Sequence, residues 1–172
     1  MLSIFGARQV CAQPRKPAPR TEAQLKAGWL AKFLHYVQWP ERALPKHGQP
    51  MTIGFLGADP VAGEMGGAVS GGYAVKGRPV AIRRSAKAED MKGCQVLFVA
   101  KSSAAALKAA LAVSQGSGML TVSDIERFVG AGGMIGVRAE GDHVRFEINN
   151  TLVRKEGLRI AGDLLAAAER VK

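Results

Sequence analysis

The chain has 172 residues, 47% of them apolar, two cysteines and a formal charge of +10. That length fits one domain with a core large enough to do without disulfide staples, and no run of about 18 apolar residues is present to span a membrane. The basic balance admits nucleic acid, an anionic surface or an acidic protein partner. Nucleic acid is disfavoured, because outside Arg15-Lys16 and Arg83-Arg84 the charges are scattered and no basic run alternates with aromatics, nor is there a finger spacing or RNP-like motif.

Residues 2–7 are apolar but too short for a secretory h-region, and Val10-Cys11-Ala12 ends in a small residue, as before a signal-peptidase cut. Two readings stand: the end of an export signal whose start lies upstream, or a frayed N-terminus. Residues 13–20 form a proline-rich, basic lead-in, which divides the chain into a leader over 1–20 and a domain over 21–172. Cleavage after Ala12 would leave Cys94 alone, and it reads as a small packed hydrophobe rather than a nucleophile.

Thr21 and Gln24 have capping-box spacing, and the helix they open runs to about Gln38. Leu25, Trp29, Phe33 and Val37 share one face, which Leu30 and Leu34 widen, and Trp39-Pro40 stops it. Residues 51–56 read as a strand leading into the turn Gly57-Ala58-Asp59-Pro60. A short helix over 61–69 is weakened by Gly66 and Gly67, at roughly 1 kcal/mol each. Gly71-Gly72 marks a loop and 80–84 a second strand. The continuous apolar run 95–100 is the mark of a strand covered on both faces. Ser102 or Ser103 can cap the next helix, with Ala104, Leu107 and Leu111 inward. A short strand at 120–122 precedes one or two helical turns at 125–129.

Residues 134–138 and 144–149 then form a hairpin about Ala139-Glu140-Gly141-Asp142. Strict alternation puts Val144, Phe146 and Ile148 on one face and Arg145, Glu147 and Asn149 on the other. A short helix over 151–156 and a closing helix over 157–171, with Ala161, Leu164, Leu165, Ala168 and Val171 inward, end the chain. Strands alternating with helices predict a single α/β domain of three layers, Rossmann-like, with a mixed, mostly parallel sheet and a C-terminal antiparallel hairpin.

The usual catalytic constellations are missing. Gly54-Phe55-Leu56-Gly57 lacks dinucleotide-cradle spacing, Ser70 is not in a nucleophile elbow, and His35, His47 and His143 lack metal-ligand spacing. No cofactor and no metal are expected. Ser123-Asp124 reads first as a helix cap, and second as a ligand contact, since ligands of open α/β sheets bind where parallel strands end. Gly132-Gly133 supplies a turn with positive φ or amides facing an anion. Arg145, Glu147 and Asn149 are either a solvated strand face or a partner surface. Arg83 is either a solvated strand end or a binding residue.

Seven motifs in order resemble the YfiR family. They are the opening helix from Leu25 to Trp39-Pro40, then Leu56-Gly57-Ala58-Asp59-Pro60, Gly77-Arg78-Pro79-Val80, Gly93-Cys94-Gln95-Val96-Leu97-Phe98, Leu120-Thr121-Val122-Ser123-Asp124, Gly132-Gly133-Met134-Ile135 and Arg145-Phe146-Glu147-Ile148-Asn149. The resemblance covers about residues 21–170. It implies a non-enzymatic periplasmic protein that holds an inner-membrane diguanylate cyclase inactive by contacting its periplasmic domain, lowering cyclic-di-GMP and restraining biofilm. It also implies a homodimer, and an OmpA-like outer-membrane lipoprotein as a sequestering partner. Related domains serve as sensory modules, so a small-molecule-binding sensory role is the alternative, with an enzyme using Ser123 and Asp124 behind it. In some members a cysteine in the first strand can pair with the one matching Cys94; here that strand carries Gly54.

Overall fold

The computed structural model describes residues 19–172. The expected signal end, Cys11, Arg15-Lys16 and most of the lead-in lie outside the described residues. Among the described residues the helices are α1 (Glu22–Tyr36), α2 (Pro60–Ser70), α3 (Leu107–Ser114), α4 (Asn150–Lys155) and α5 (Gly162–Ala167). The strands are β1 (Val37–Gln38), β2 (Met51–Leu56), β3 (Ala74–Val75), β4 (Arg78–Ser85), β5 (Val96–Val99), β6 (Leu120–Ser123), β7 (Ile135–Glu140), β8 (His143–Ile148), β9 (Arg159–Ile160) and β10 (Arg170–Val171).

Eight strands make one sheet in the order β10-β8-β7-β6-β5-β2-β4-β3. Only the pairs β7–β8 and β3–β4 are antiparallel, so the fold is the mixed, mostly parallel α/β sheet that the alternation of elements predicts. The apolar run at β5 is buried on both faces because its residues alternate between two cores. Val96 and Phe98 join α1 and α2 on one side, while Leu97 and Val99 meet Met91, Cys94, Ala110 and Met119 on the other. That gives three layers. Val144, Phe146 and Ile148 turn towards α1, where Phe146 packs 4.8 Å from Trp29 and 5.5 Å from Phe33 between ring centroids. In the hairpin, Glu140 faces His143 across a two-residue loop whose first member, Gly141, has φ 60°, as a tight turn requires.

The chain leaves β2 through α2 to β4 on one side, then crosses to β5 on the other. The strand ends of β2, β5 and β6 therefore surround a topological switch point, the place where open α/β sheets hold ligands. We call this end of the sheet the upper end. The first turns of α1 reach it through Lys26, while Trp39 reaches the opposite, lower end, its indole N–H donating to the Gln95 carbonyl at 3.0 Å.

Four local expectations need correction. The capping box forms, but α1 stops at Tyr36 and residues 37–38 become β1. Residues 125–129 form turns rather than a helix, so Ser123 and Asp124 cap none, whereas the short helix expected at 61–69 does form, as α2, capped by Asp59 with Pro60 in its first turn. Ser102 and Ser103 do not cap a helix: residues 101–106 form a 3-10 segment, the Ser102 hydroxyl donates to the Ala58 carbonyl, and Ala110 and Ser114 are the buried positions of α3, not Ala104. The closing helix is broken into β9, α5 and β10. Sheet pairing overrides the helical propensity of its alanines: Ile160 pairs with Val37, the Ala161 N–H donates to the Tyr36 carbonyl, and Arg170–Val171 line the edge of β8. Leu164 stays buried, and Val171 is 44% exposed.

Cys94 is a free, buried thiol packed in the second core. Burial pushes it above its ordinary value, and Arg83 only partly offsets that. A Cβ placed on Gly54 would lie 3.6 Å from the Cys94 Cβ and 3.1 Å from its Sγ, with the Met91 thioether in the way at 2.5 Å. Gly54 thus faces Cys94 directly across the second core.

Candidate functional site

β6 delivers Ser123 and Asp124 to the upper end of the sheet, and their fates differ. Ser123 is fully buried. Its hydroxyl donates to the Val99 carbonyl at 2.6 Å and accepts the Ile125 N–H at 3.0 Å, so it fixes the strand end and the turn after it. Asp124, 5% exposed at its side chain, receives the Lys26 ammonium at 2.5 Å, and Lys26 is itself 6% exposed. Glu22, one turn earlier on α1, also pairs with Lys26 from the solvent side. Burial pulls the Lys26 ammonium down, but hydrogen bonds to Asp124 and Glu22 outweigh it and hold the group above the ordinary lysine value. The hydrogen bond and charge of Lys26 draw the Glu22 carboxyl below its usual value. Among the described residues, Asp124 Oδ1 is the only buried side-chain polar atom without a hydrogen-bond partner.

Asp59 completes the acidic side of this end. Its carboxylate accepts the Val61 N–H at 2.7 Å. Burial first, and the nearby Asp124 charge after it, raise its pKa despite that hydrogen bond. A raised carboxyl pKa means that the charge opposes folding. The penalty is absent below the unfolded value and complete above the folded one. Asparagine caps as well as aspartate. Asp59→Asn is therefore expected to melt higher than the parent at pH 7, and the gap should close as the pH falls towards 3 and Asp59 takes up its proton. Differential scanning calorimetry across that range checks it; a variant that melts lower at pH 7 contradicts it.

After Asp124 the chain folds back over the outer face of the hairpin. Arg127 adopts φ 57°, a conformation that costs a non-glycine residue of order 1 kcal/mol or more. Phe128 is fully buried against Gly133, where any Cβ would strike its ring, and Val129 packs on Gly136. Gly132 has φ 102°, as its sequence position predicts. The Gly132 and Gly133 amides donate to the carbonyls of Val129 and Phe128, so they do not face an anion.

Between this segment and the hairpin lies a cleft of ≈ 340 Å³ whose lining includes Lys101, Asp124, Arg127, Arg138, Arg145 and Glu147 over an apolar floor of Phe128 and Val137. Its outer rim is an ion-pair lattice. Arg138 bridges Glu140 at 2.9 Å and Glu169 at 2.8 Å, and Arg145 reaches Glu140 at 3.3 Å. Hydrogen bonds that Arg138 donates to Glu169 and Glu140 hold its guanidinium above its ordinary value, and Arg138 lowers Glu140 in return.

Of the residues singled out in the sequence, Asp124, Arg145 and Glu147 meet at this cleft. Ser123 lies behind it. The Asn149 side chain caps α4 by accepting the Leu152 N–H at 2.9 Å. Arg83 lies within β4, level with Gly54, and its side chain donates to the carbonyls of Asp90 and Lys92 at 3.0 and 2.9 Å and joins the lining of a cleft with Thr52, Gly93 and Gln95. Sequence reasoning passed over Lys26, although a signal was present. Lys26, Leu30, Phe33 and Val37 follow helical spacing on the inward side, and lysine is almost never buried without a partner.

The cleft presents both signs of charge in fixed positions, and the Ser123 proton goes to a backbone carbonyl, not to a base. Among the described residues, no three His, Cys, Asp or Glu side chains gather to hold a metal ion, and no helix is long and apolar enough to cross a membrane. The arrangement suits recognition of a polar surface or ligand.

Comparison with known proteins gives one family match, to the family described as YfiR/HmsC-like, over residues 23–169. No curated protein matches. Among solved structures, a conserved domain protein of Vibrio cholerae O1 biovar eltor superposes with a TM-score of 0.58 at 11% identity, over 87% of this chain. The ABC domain in complex with L-Trp from Streptococcus pneumonia gives 0.54 at 13% identity, over 88% of this chain. At these identities the likeness is one of fold, and the chain spans 60% of the length of each.

Proposed function

The chain belongs to the YfiR/HmsC-like family, and from that premise we propose that it is a non-catalytic periplasmic regulator that represses an inner-membrane diguanylate cyclase by binding its periplasmic domain. Membership over nearly the whole described chain is the observation that supports this reading. In it, residues 21–172 form the working domain and 1–20 hold the end of an export signal and its lead-in. The domain works as a homodimer, and an OmpA-like outer-membrane lipoprotein relieves repression by sequestering it.

The mechanism is a population shift. The regulator binds the inactive state of the cyclase better than the active one, and moving the balance from about 1:99 to 99:1 takes about 5.5 kcal/mol of differential affinity. The face of the hairpin carrying Arg145 and Glu147 is proposed as the contact, with Asp124 and Ser123 holding the wall behind it. The test is co-purification of the exported protein with detergent-solubilised membranes at low salt. A diguanylate cyclase should be recovered, and the charge exchange Arg145→Glu with Glu147→Arg should reduce its recovery at least tenfold while circular dichroism stays unchanged. Failure to recover any cyclase with the parent protein would overturn the reading.

One observation favours a second reading, a sensory domain for a small ligand. Asp124 lines the cleft and has a buried carboxylate oxygen free to accept a hydrogen bond. A cyclase gene beside this one favours repression, whereas a different signalling gene in that place favours the sensory role.

A further inference from the structure

Several of the cations scattered along the sequence gather in space. At the lower end of the sheet, a cleft of ≈ 480 Å³ has Arg42, Lys46 and Arg83 in its lining, together with Leu44, Pro45 and Pro50. A second cleft, of ≈ 560 Å³, has Arg154 and Arg159 beside Leu158 and Ile160. The two meet at Arg42. Its guanidinium donates to the Glu156 carbonyl at 2.8 Å, and it lies so close to Gly157, in the second cleft, that a Cβ there would stand 3.0 Å from its Nη1. Arg78 adds a further cation, donating to the carbonyls of Pro45 and Lys46.

The lining of neither cleft contains an aspartate or a glutamate. Arg42, Arg78 and Arg83 each donate to backbone carbonyls. Such bonds aim a guanidinium without neutralising it, and leave further N–H groups for a bidentate carboxylate. The carboxylates of Asp90 and Glu156, whose carbonyls take part, are engaged elsewhere: Asp90 accepts the Ser85 hydroxyl, and Glu156 accepts the N–H groups of Gly116 and Gly118.

We propose that this basic belt is a second docking surface, distinct from the cleft at Asp124, and that it takes an acidic polypeptide segment whose carboxylates alternate with aliphatic side chains. The proposal rests on the reading that the protein acts by binding another protein. A polypeptide suits the belt because aliphatic residues lie between its cations. No aromatic ring lines either cleft, so bases have nothing to stack on. The large exposed hydrophobics of the described chain, Tyr36 and Val171, line neither cleft, so nothing large and apolar is offered to a bilayer.

The probe is a short fluorescein-labelled peptide of alternating glutamate and leucine, titrated by anisotropy against the full chain at low salt. Oligothymidylate, phosphatidylglycerol vesicles and inorganic phosphate serve as competitors. Lys46→Glu with Arg159→Glu reverses two charges whose side chains make no described hydrogen bond, and should weaken peptide binding at least tenfold. Arg42→Gln should weaken it severalfold, and Lys108→Gln, away from the belt, should leave it unchanged. Peptide affinity that ignores the belt substitutions, or falls equally with Lys108→Gln, overturns the proposal, as does tighter binding of oligothymidylate, vesicles or phosphate. The peptide titration alone decides the belt. The cyclase co-purification decides the reading above, so the two can fail separately.

Discussion

Asp124→Ala is expected to lower the unfolding free energy by about 3 kcal/mol, the lower part of the range for breaking one side of a buried ion pair. The substitution strands the Lys26 ammonium, which is 6% exposed, with only the solvent-side Glu22 for company. That remaining partner is why the loss should not reach the top of the range. Lys26→Met with Asp124→Leu removes both charges and should recover most of the loss, because well-packed apolar replacements of buried pairs are often neutral or stabilising. Urea denaturation of the two variants separates the cases. Asp124→Ala within about 1 kcal/mol of the parent would mean that the pair does not hold α1 to the sheet. The Lys26 pair has a pH signature too. Its raised folded pKa makes its contribution complete below the ordinary lysine value and lost as pH rises through the folded one. Glu22, drawn down, contributes above its ordinary value and loses that contribution as pH falls.

Gly54→Cys should give an oxidised protein markedly more stable than the same protein reduced. The Cβ–Cβ separation of 3.6 Å to Cys94 lies inside the range of natural disulfides. Closing a loop of about 40 residues removes roughly 4 kcal/mol of freedom from the unfolded chain. Against this, the Met91 thioether must leave its place, and overpacking of that kind costs about 1–3 kcal/mol. The cost falls on both redox forms, so comparing them isolates the bridge. In a Cys11→Ser background the oxidised form should melt about 8 °C or more above the reduced one, while the parent is indifferent to reductant. Two free thiols by titration after air oxidation would show that Met91 holds its ground.

The fold was legible where pattern and pairing agree. The run at β5, the alternation in β8 and the box at Thr21 each name a local geometry, and the sheet uses each as it stands. Legibility ended where the backbone had a competing long-range partner. Residues 159–161 and 169–172 have helical composition, yet their amides and carbonyls are taken by Val37, Tyr36 and β8. For the candidate site, Asp124 stood out because it follows a parallel strand, and Arg145 and Glu147 stood out by alternation. Lys26 was hidden by the habit of reading lysine as solvated, and the belt by reading charge along the chain rather than across the fold. Arg42 and Arg159 are far apart in sequence and near neighbours around Gly157.

The short ladder between β1 and β9 has a consequence for how the molecule comes to be folded. Residues just after α1 are stitched to residues near the C-terminus, Lys26 to Asp124 across 98 positions, and Arg42 to Glu156 across 114. Closing such distant loops is slow. A nascent chain emerging N-terminus first can lay α1 against α2 early, since both belong to one core, but its contacts with Asp124, Phe146 and β9 must wait for the later residues. During that interval the part of the α1 stripe that Phe146 covers stays open to chaperones.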